Sequence, residues 1–174
     1  MILLLGNPRL RKKASPVTFP LSEKLQKDVR LLETVLEDFQ REKGFGRAIA
    51  APQIGISERF IALNFEDKHL TIFNPVISWQ SEETFLLWDD CMSFPDLMVK
   101  VRRHSSISVV YQDEHGEEKV WEKLDPSTSE LLQHEIDHLD GVLAIDRAID
   151  RESIVYRSVF EIKKSHFLNQ IALS

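Results

Sequence analysis

Between residues 59 and 121 the chain breaks into six short strand-like runs, and helical periodicity brackets them on both sides; no other feature constrains the fold as much. The runs are Arg59 to Asn64, Leu70 to Val76, Thr84 to Trp88, Val99 to Val101, Ser106 to Tyr111 and Glu118 to Trp121, with Glu114-His115-Gly116 as a turn between the last two. Ahead of them Leu25, Val29, Leu32, Leu36 and Phe39 recur at helical spacing, while Glu23, Lys24, Lys27, Asp28 and Arg30 fill the rest of the cylinder. Ser22 is a suitable N-cap for this amphipathic helix and Lys43-Gly44 a suitable end. Beyond the strands, Asp125-Pro126 pairs a capping residue with proline at the first helical position, and the helix it opens runs through Leu131-Leu132 to Gly141. From Arg151 to Leu173 the apolar residues Ile154, Val155, Phe160, Ile162 and Phe167 are less regular and predict a C-terminal helix. Strands in a block between helices indicate an α+β fold.

A chain of 174 residues suits one domain spanning 1–174, large enough to bury a core without covalent staples. The lone Cys91 has no partner within the chain, which fits a reducing cytoplasm. A formal charge of −6 argues against nucleic acid or an anionic membrane as partner. No stretch approaches the ~20 apolar residues of a membrane span. Met1 to Gly6 is too short for a secretory leader and reads as an opening strand or core anchor. The segment from Gly44 to Gly55 has neither period; its small residues make it a loop or edge where backbone can approach something closely.

The second helix contains Gln133-His134-Glu135-Ile136-Asp137-His138, an HExxH. Residues four apart share a helix face, so His134 and His138 can aim imidazoles at one metal ion while Glu135 manages the proton of a water held there. Two histidines leave such a site one protein ligand short. A three-histidine pattern fails because Ala144 stands where the third would be, which leaves Glu161 or Cys91 as the remaining ligand.

Three segments in order resemble the peptide deformylase family: Gly46-Arg47-Ala48-Ile49-Ala50-Ala51-Pro52-Gln53, Asp89-Asp90-Cys91-Met92-Ser93, and Gln133 to His138. The lead-in Asn7-Pro8-Arg9-Leu10-Arg11, the first helix and Asn74-Pro75 are similar too, so the resemblance covers roughly residues 3 to 150. It implies antiparallel strands packed around the HExxH helix, and a metal-dependent amidohydrolase that removes a formyl or related small acyl group from a peptide or amine. It implies Cys91, His134 and His138 as ligands of Fe(II), with nickel or zinc as substitutes, and Glu135 as proton carrier. It also implies oxyanion stabilisation by Gln53 and the Met92 N–H, and an N-formylated peptide paired along Gly46, Arg47 and Ala48 and contacting Asp89. Ribosome association has no readable signal. The alternatives are an HExxH protease ligated by Glu161 and a catalytically quiet metal-binding relative. Gln53 as a turn cap, Ser93 and Gln133 as local supports, and Trp88 and Phe94 as packing are the plainer roles for those residues.

The sequence departs from the family at Arg47 and Ala48, where the family has an apolar residue and glycine, and at Asp89-Asp90, where it has Glu-Gly. Ser127, Glu130 and Leu131 lie on the face of His134, in a stretch the family fills with apolar residues lining the methionine pocket. Arg47 and Glu130 would make that pocket polar and disfavour formyl-methionine unless the two pair with each other or point to water. Ser127 to Glu130 also reads as a capping box, in competition with Asp125-Pro126.

Overall fold

The computed structural model describes residues 1–65 and 68–172, so Leu173 of the expected C-terminal helix lies outside the described residues. Among the described residues eight strands form two antiparallel sheets: β1 (Ala48–Ala50), β2 (Phe60–Phe65), β3 (Lys68–Gln80), β4 (Thr84–Asp89), β5 (Leu97–His104), β6 (Ile107–Gln112), β7 (Glu118–Trp121) and β8 (Ile154–Tyr156). The larger has the order β1-β2-β3-β6-β7 and the smaller β4-β5-β8. Among the described residues there are four helices, α1 (Glu23–Lys43), α2 (Pro126–Leu139), α3 (Arg157–Ile162) and α4 (Lys164–Ala172). The fold is α+β, as the pattern requires.

Helix α1 starts and stops where its chemistry says. The Ser22 hydroxyl accepts from the Leu25 N–H, and Gly44 takes the left-handed conformation at φ 76° beyond Lys43. Its apolar stripe of Leu25, Leu32 and Leu36 packs with Ile49, Phe60, Ala62 and Phe73 on one face of the larger sheet. Alternation along β2 sends Ile61 and Leu63 to the other face, where Ile72, Ile107 and Val109 meet Leu132, Ile136 and Leu139 of α2. The smaller sheet sets Val99 and Val101 against Cys91, Phe94, Leu143 and Ala144, while Trp88 and Met98 pack on Phe160 and Phe167. Trp88 and Phe94 are thus packing residues.

Several local expectations need correction. Asp125 caps α2 by accepting from the Ser127 and Thr128 N–H groups, so the competing capping box at Ser127 does not form. Residues 1–6 form no strand; they anchor instead through backbone, Leu3 N–H donating to Gln53 O at 2.7 Å and Leu5 N–H to Ser93 O at 2.8 Å. Residues 44–55, by contrast, meet the loop-or-edge reading, because they contain β1 at the edge of the larger sheet, paired with β2 from Ala48↔Leu63 to Ala50↔Ile61. The expected C-terminal helix is two helices broken at Lys163, and the segment before them adds β8 to the smaller sheet. In β3 a register shift follows Phe73, where Asn74 adopts φ 50° and both donates to Val17 O and accepts from Val17 N–H.

Leu32 is fully buried whereas its neighbour Leu31 is half exposed. Leu32→Ala is expected to lower unfolding free energy by about 2–5 kcal/mol and Leu31→Ala by less than about 0.5 kcal/mol, measured by urea titration. Equal losses would show that α1 does not pack by the stripe described.

Candidate metal centre

Helix α2 carries Leu132, Ile136 and Leu139 on its side toward the larger sheet. Its opposite side presents His134 and His138 one turn apart, ring centroids 4.9 Å apart. Cys91 follows the end of β4 in a turn closed by Phe94 N–H donating to Cys91 O at 3.1 Å. One potential ligand atom from each of Cys91, His134 and His138 lies within 4.8 Å of the others, and all three residues are buried. The sulfur is 3.2 Å from His138 Nε2.

The surroundings fit a thiolate-bound divalent ion. The sulfur accepts from the Ser93 backbone N–H at 3.4 Å and the Gln53 side-chain amide at 3.6 Å, contacts that favour negative charge on sulfur. His134 places Nδ1 2.9 Å from Asp89 Oδ2, which directs its other nitrogen toward the cluster. Burial penalises the His134 cation, but Asp89 and Cys91 outweigh it and hold its pKa well above the usual imidazole value. Burial, reinforced by the His134 charge, pushes His138 well below that value, so it stands as a neutral donor. A divalent ion would be held by these three side chains, one thiol and two imidazoles, a donor set suited to a catalytic divalent ion.

Asp89 is itself held in place. Arg103 donates to Asp89 Oδ2 at 3.2 Å and to Asp137 Oδ2 at 2.5 Å, and Arg147 donates to both Asp137 oxygens at 2.6 Å. Burial alone would raise the Asp89 carboxyl, yet His134 and Arg103 outweigh it and keep its pKa below the ordinary value. Asp89 borders the cleft, where a substrate contact is expected of it, and its carboxylate is also bound to His134 and Arg103, so it supports the metal centre. Sequence reasoning missed Arg103, Asp137 and Arg147. The signal for Arg103 was parity: it shares a face of β5 with buried Val99 and Val101, so a cation there needs buried anions.

A cleft of about 350 Å³ opens beside the cluster, bordered by Gly46, Arg47, Ala48, Gln53, Met92, Leu131 and Glu135 among others. Glu135 Oε2 is buried without a hydrogen-bond partner among the described residues. Burial raises the Glu135 pKa to about 7, where it can both take and give a proton near neutrality. Gln53 caps and supports at once: Oε1 accepts from Ala50 N–H at 2.8 Å, while its amide nitrogen makes only long contacts to Cys91 and, at 3.3 Å, to Ser93 Oγ. Gln133 bonds both backbone groups of His104 and Ser129 O, the local support expected of it. Gly46, at φ +111°, has the Phe39 ring 3.2 Å from where a β-carbon would stand, so only glycine fits there without strain.

Ser127 and Glu130 do not border the cleft; both hold Arg47, which does. Arg47 donates to Ser127 O and Oγ and pairs with the Glu130 carboxylate. Glu161 projects from α3 half exposed beside Lys164, away from the ligand cluster, so the Glu161-ligated alternative has no geometric basis.

Comparison with known proteins converges on one family. The polypeptide deformylase family model matches residues 1–153. The peptide deformylase of Thermotoga neapolitana is 37% identical over 165 residues, covering 94% of this chain and 96% of the relative. That of Rhizobium meliloti is 34% identical, covering 90% of each. The crystal structure of the Thermotoga maritima enzyme superposes with a TM-score of 0.76 at 37% identity, covering 86% of this chain and 97% of that one. A Legionella pneumophila peptide deformylase structure gives 0.78 at 29% identity, covering 100% of this chain and 98% of its own.

With the sulfur removed, two imidazoles make a weak site. Cys91→Ala is expected to lose at least about tenfold in metal affinity, read as metal per chain after dialysis against a graded chelator. Equal retention by wild type and variant would take Cys91 out of the ligand set.

Proposed function

The chain belongs to the peptide deformylase family of metallohydrolases, and from that premise we propose that residues 1–174 form one deformylase domain hydrolysing the formyl group from peptide N-termini, with Cys91, His134 and His138 holding a single divalent ion. One observation carries the reading: the three ligand atoms converge beside a cleft into whose wall a buried, unpartnered Glu135 oxygen is built. In this reading α2 is the organising helix, with strands of both sheets packed round it, and Fe(II) is the native ion, for which nickel or zinc can substitute. A reducing cytoplasm preserves the Cys91 thiol. Among the described residues no helix is long and apolar enough to cross a membrane.

A bound ion supplies Lewis acidity and an activated water. The chain supplies the rest. The formylated peptide lies along β1, an edge strand of the larger sheet, with Gly46, Arg47 and Ala48 beside its backbone and Leu131 bordering the same cleft. Gln53, fixed through its carbonyl to Ala50, turns its loosely bound amide toward the developing oxyanion together with the Met92 N–H. Glu135 accepts a proton from water as its oxygen bonds to the formyl carbon, then delivers that proton to the nitrogen as the C–N bond breaks. The products are formate and a free amine, so the direct test is formate release from a formylated tripeptide by protein loaded anaerobically with Fe(II). No formate from protein containing one ion per chain would defeat the proposal.

Glu135→Ala is expected to keep the metal and lose roughly 10²- to 10⁴-fold in kcat. Full activity at unchanged metal content would remove Glu135 from the mechanism.

The Arg47–Glu130 pair meets the condition under which a polar wall tolerates a thioether: each charge satisfies the other. Formyl-methionyl peptides are therefore substrates in this reading. Arg47→Ile alone strands the mostly buried Glu130 carboxylate and is expected to cost about 1–3 kcal/mol of stability, most of it recovered in Arg47→Ile, Glu130→Ile. Selectivity for methionine should change by less than about threefold in the double variant. A large gain in that selectivity would show instead that the pair repels the thioether.

A further inference from the structure

In the segment beyond the family match, one side chain touches two residues that border the cleft. Arg157, the first residue of α3, is anchored by its own N–H donating to Asp96 O at 2.7 Å. Its guanidinium donates from Nε to Pro95 O at 2.7 Å and from a terminal nitrogen to Asp90 Oδ2 at 2.8 Å, and it sits 5.0 Å from the centre of the Phe45 ring. Phe45 and Asp90 both border the cleft, yet they belong to loops far apart in sequence. The Phe45 loop lies between Gly44 and Gly46, both at positive φ, and the ring rests edge-on against Phe39 at 5.1 Å. Asp90 immediately precedes the ligand Cys91 in the chain and borders the cleft.

Deepening the deformylase reading on which it rests, we propose that Arg157 is a positioning residue for the peptide. It ties the Phe45 loop to the loop of residues 90–96, fixing the width of the cleft, and draws the Asp90 carboxylate off the path of the substrate backbone. A planar guanidinium fork suits this role because it meets a carbonyl and a carboxylate at once while its face covers a ring, three contacts a lysine cannot reproduce together. Its polar contacts include none of the ligand atoms and not Glu135, so its influence falls on binding rather than on chemistry.

The test compares Arg157→Ala, Arg157→Lys and Arg157→Ala, Asp90→Asn on the metal-loaded full chain. For a formylated tripeptide, Arg157→Ala should raise KM about three- to tenfold with kcat within about twofold. Arg157→Lys should fall between it and wild type. Asp90→Asn in the Arg157→Ala background should recover part of the KM loss, because the carboxylate left unpaired is gone. Amide hydrogen exchange should rise at residues 44–47 in Arg157→Ala and stay unchanged in α2. Unchanged KM and exchange, or exchange rising equally across α2, would overturn the assignment, the latter by showing general loosening. If wild-type protein releases no formate, the deformylase reading fails, and exchange at 44–47 still decides whether Arg157 holds the loop.

Discussion

The carboxylate of Asp89 is the junction on which the site depends. It accepts from His134 on α2 and from Arg103 on β5, and so joins the helix bearing two ligands to the sheet whose edge leads into the third. A buried carboxylate is costly unless its oxygens are satisfied, and here both partners are cationic or proton-bearing donors. Arg103 in turn bridges to Asp137, one helical turn beyond His134, and Arg147 closes the chain of alternating charges. Loss of Arg103 would take one partner from each of two buried carboxylates at once, and loss of Asp89 would leave His134 Nδ1 without its carboxylate, which is how a few polar contacts hold a metal site inside a largely apolar core.

Much of this is legible in the amino-acid sequence. The Ser22 cap, the Gly44 stop and the stripe between them define α1 to the residue, because capping and periodicity are local chemistry. All six strand-like runs fall on strands, and the resemblance points to Cys91, His134 and His138, which the fold brings together. What escapes a sequence reading depends on contacts distant along the chain. β8 has three residues and acquires its identity only by pairing with β5; the break at Lys163 follows no proline or glycine. The bond from Arg103 to Asp89 gives no sequence signal, since the two stand fourteen positions apart. Arg157 gives no sign at all, since its partners lie sixty residues earlier.

The cleft shows how charged residues come to stand in a site built for an uncharged formyl group. Arg47 is paired by Glu130, and Asp90 by Arg157, so each charge near the substrate path has its counter-ion on the neighbouring element. Glu135 is the exception: its Oε2 has no partner among the described residues, and burial lifts its pKa to about 7. Structural charges are neutralised in pairs, and the one left unpaired is the group assigned to carry the proton.

The metal centre depends on sulfur joining the two imidazoles, with Asp89 orienting one of them. X-ray absorption at the metal edge of protein loaded with one nickel ion per chain measures this. One sulfur scatterer near 2.3 Å with two imidazole nitrogens near 2.0–2.1 Å, by analogy with known thiolate and imidazole bonds to zinc, is the predicted result. A shell of nitrogen and oxygen alone, without sulfur, would contradict it.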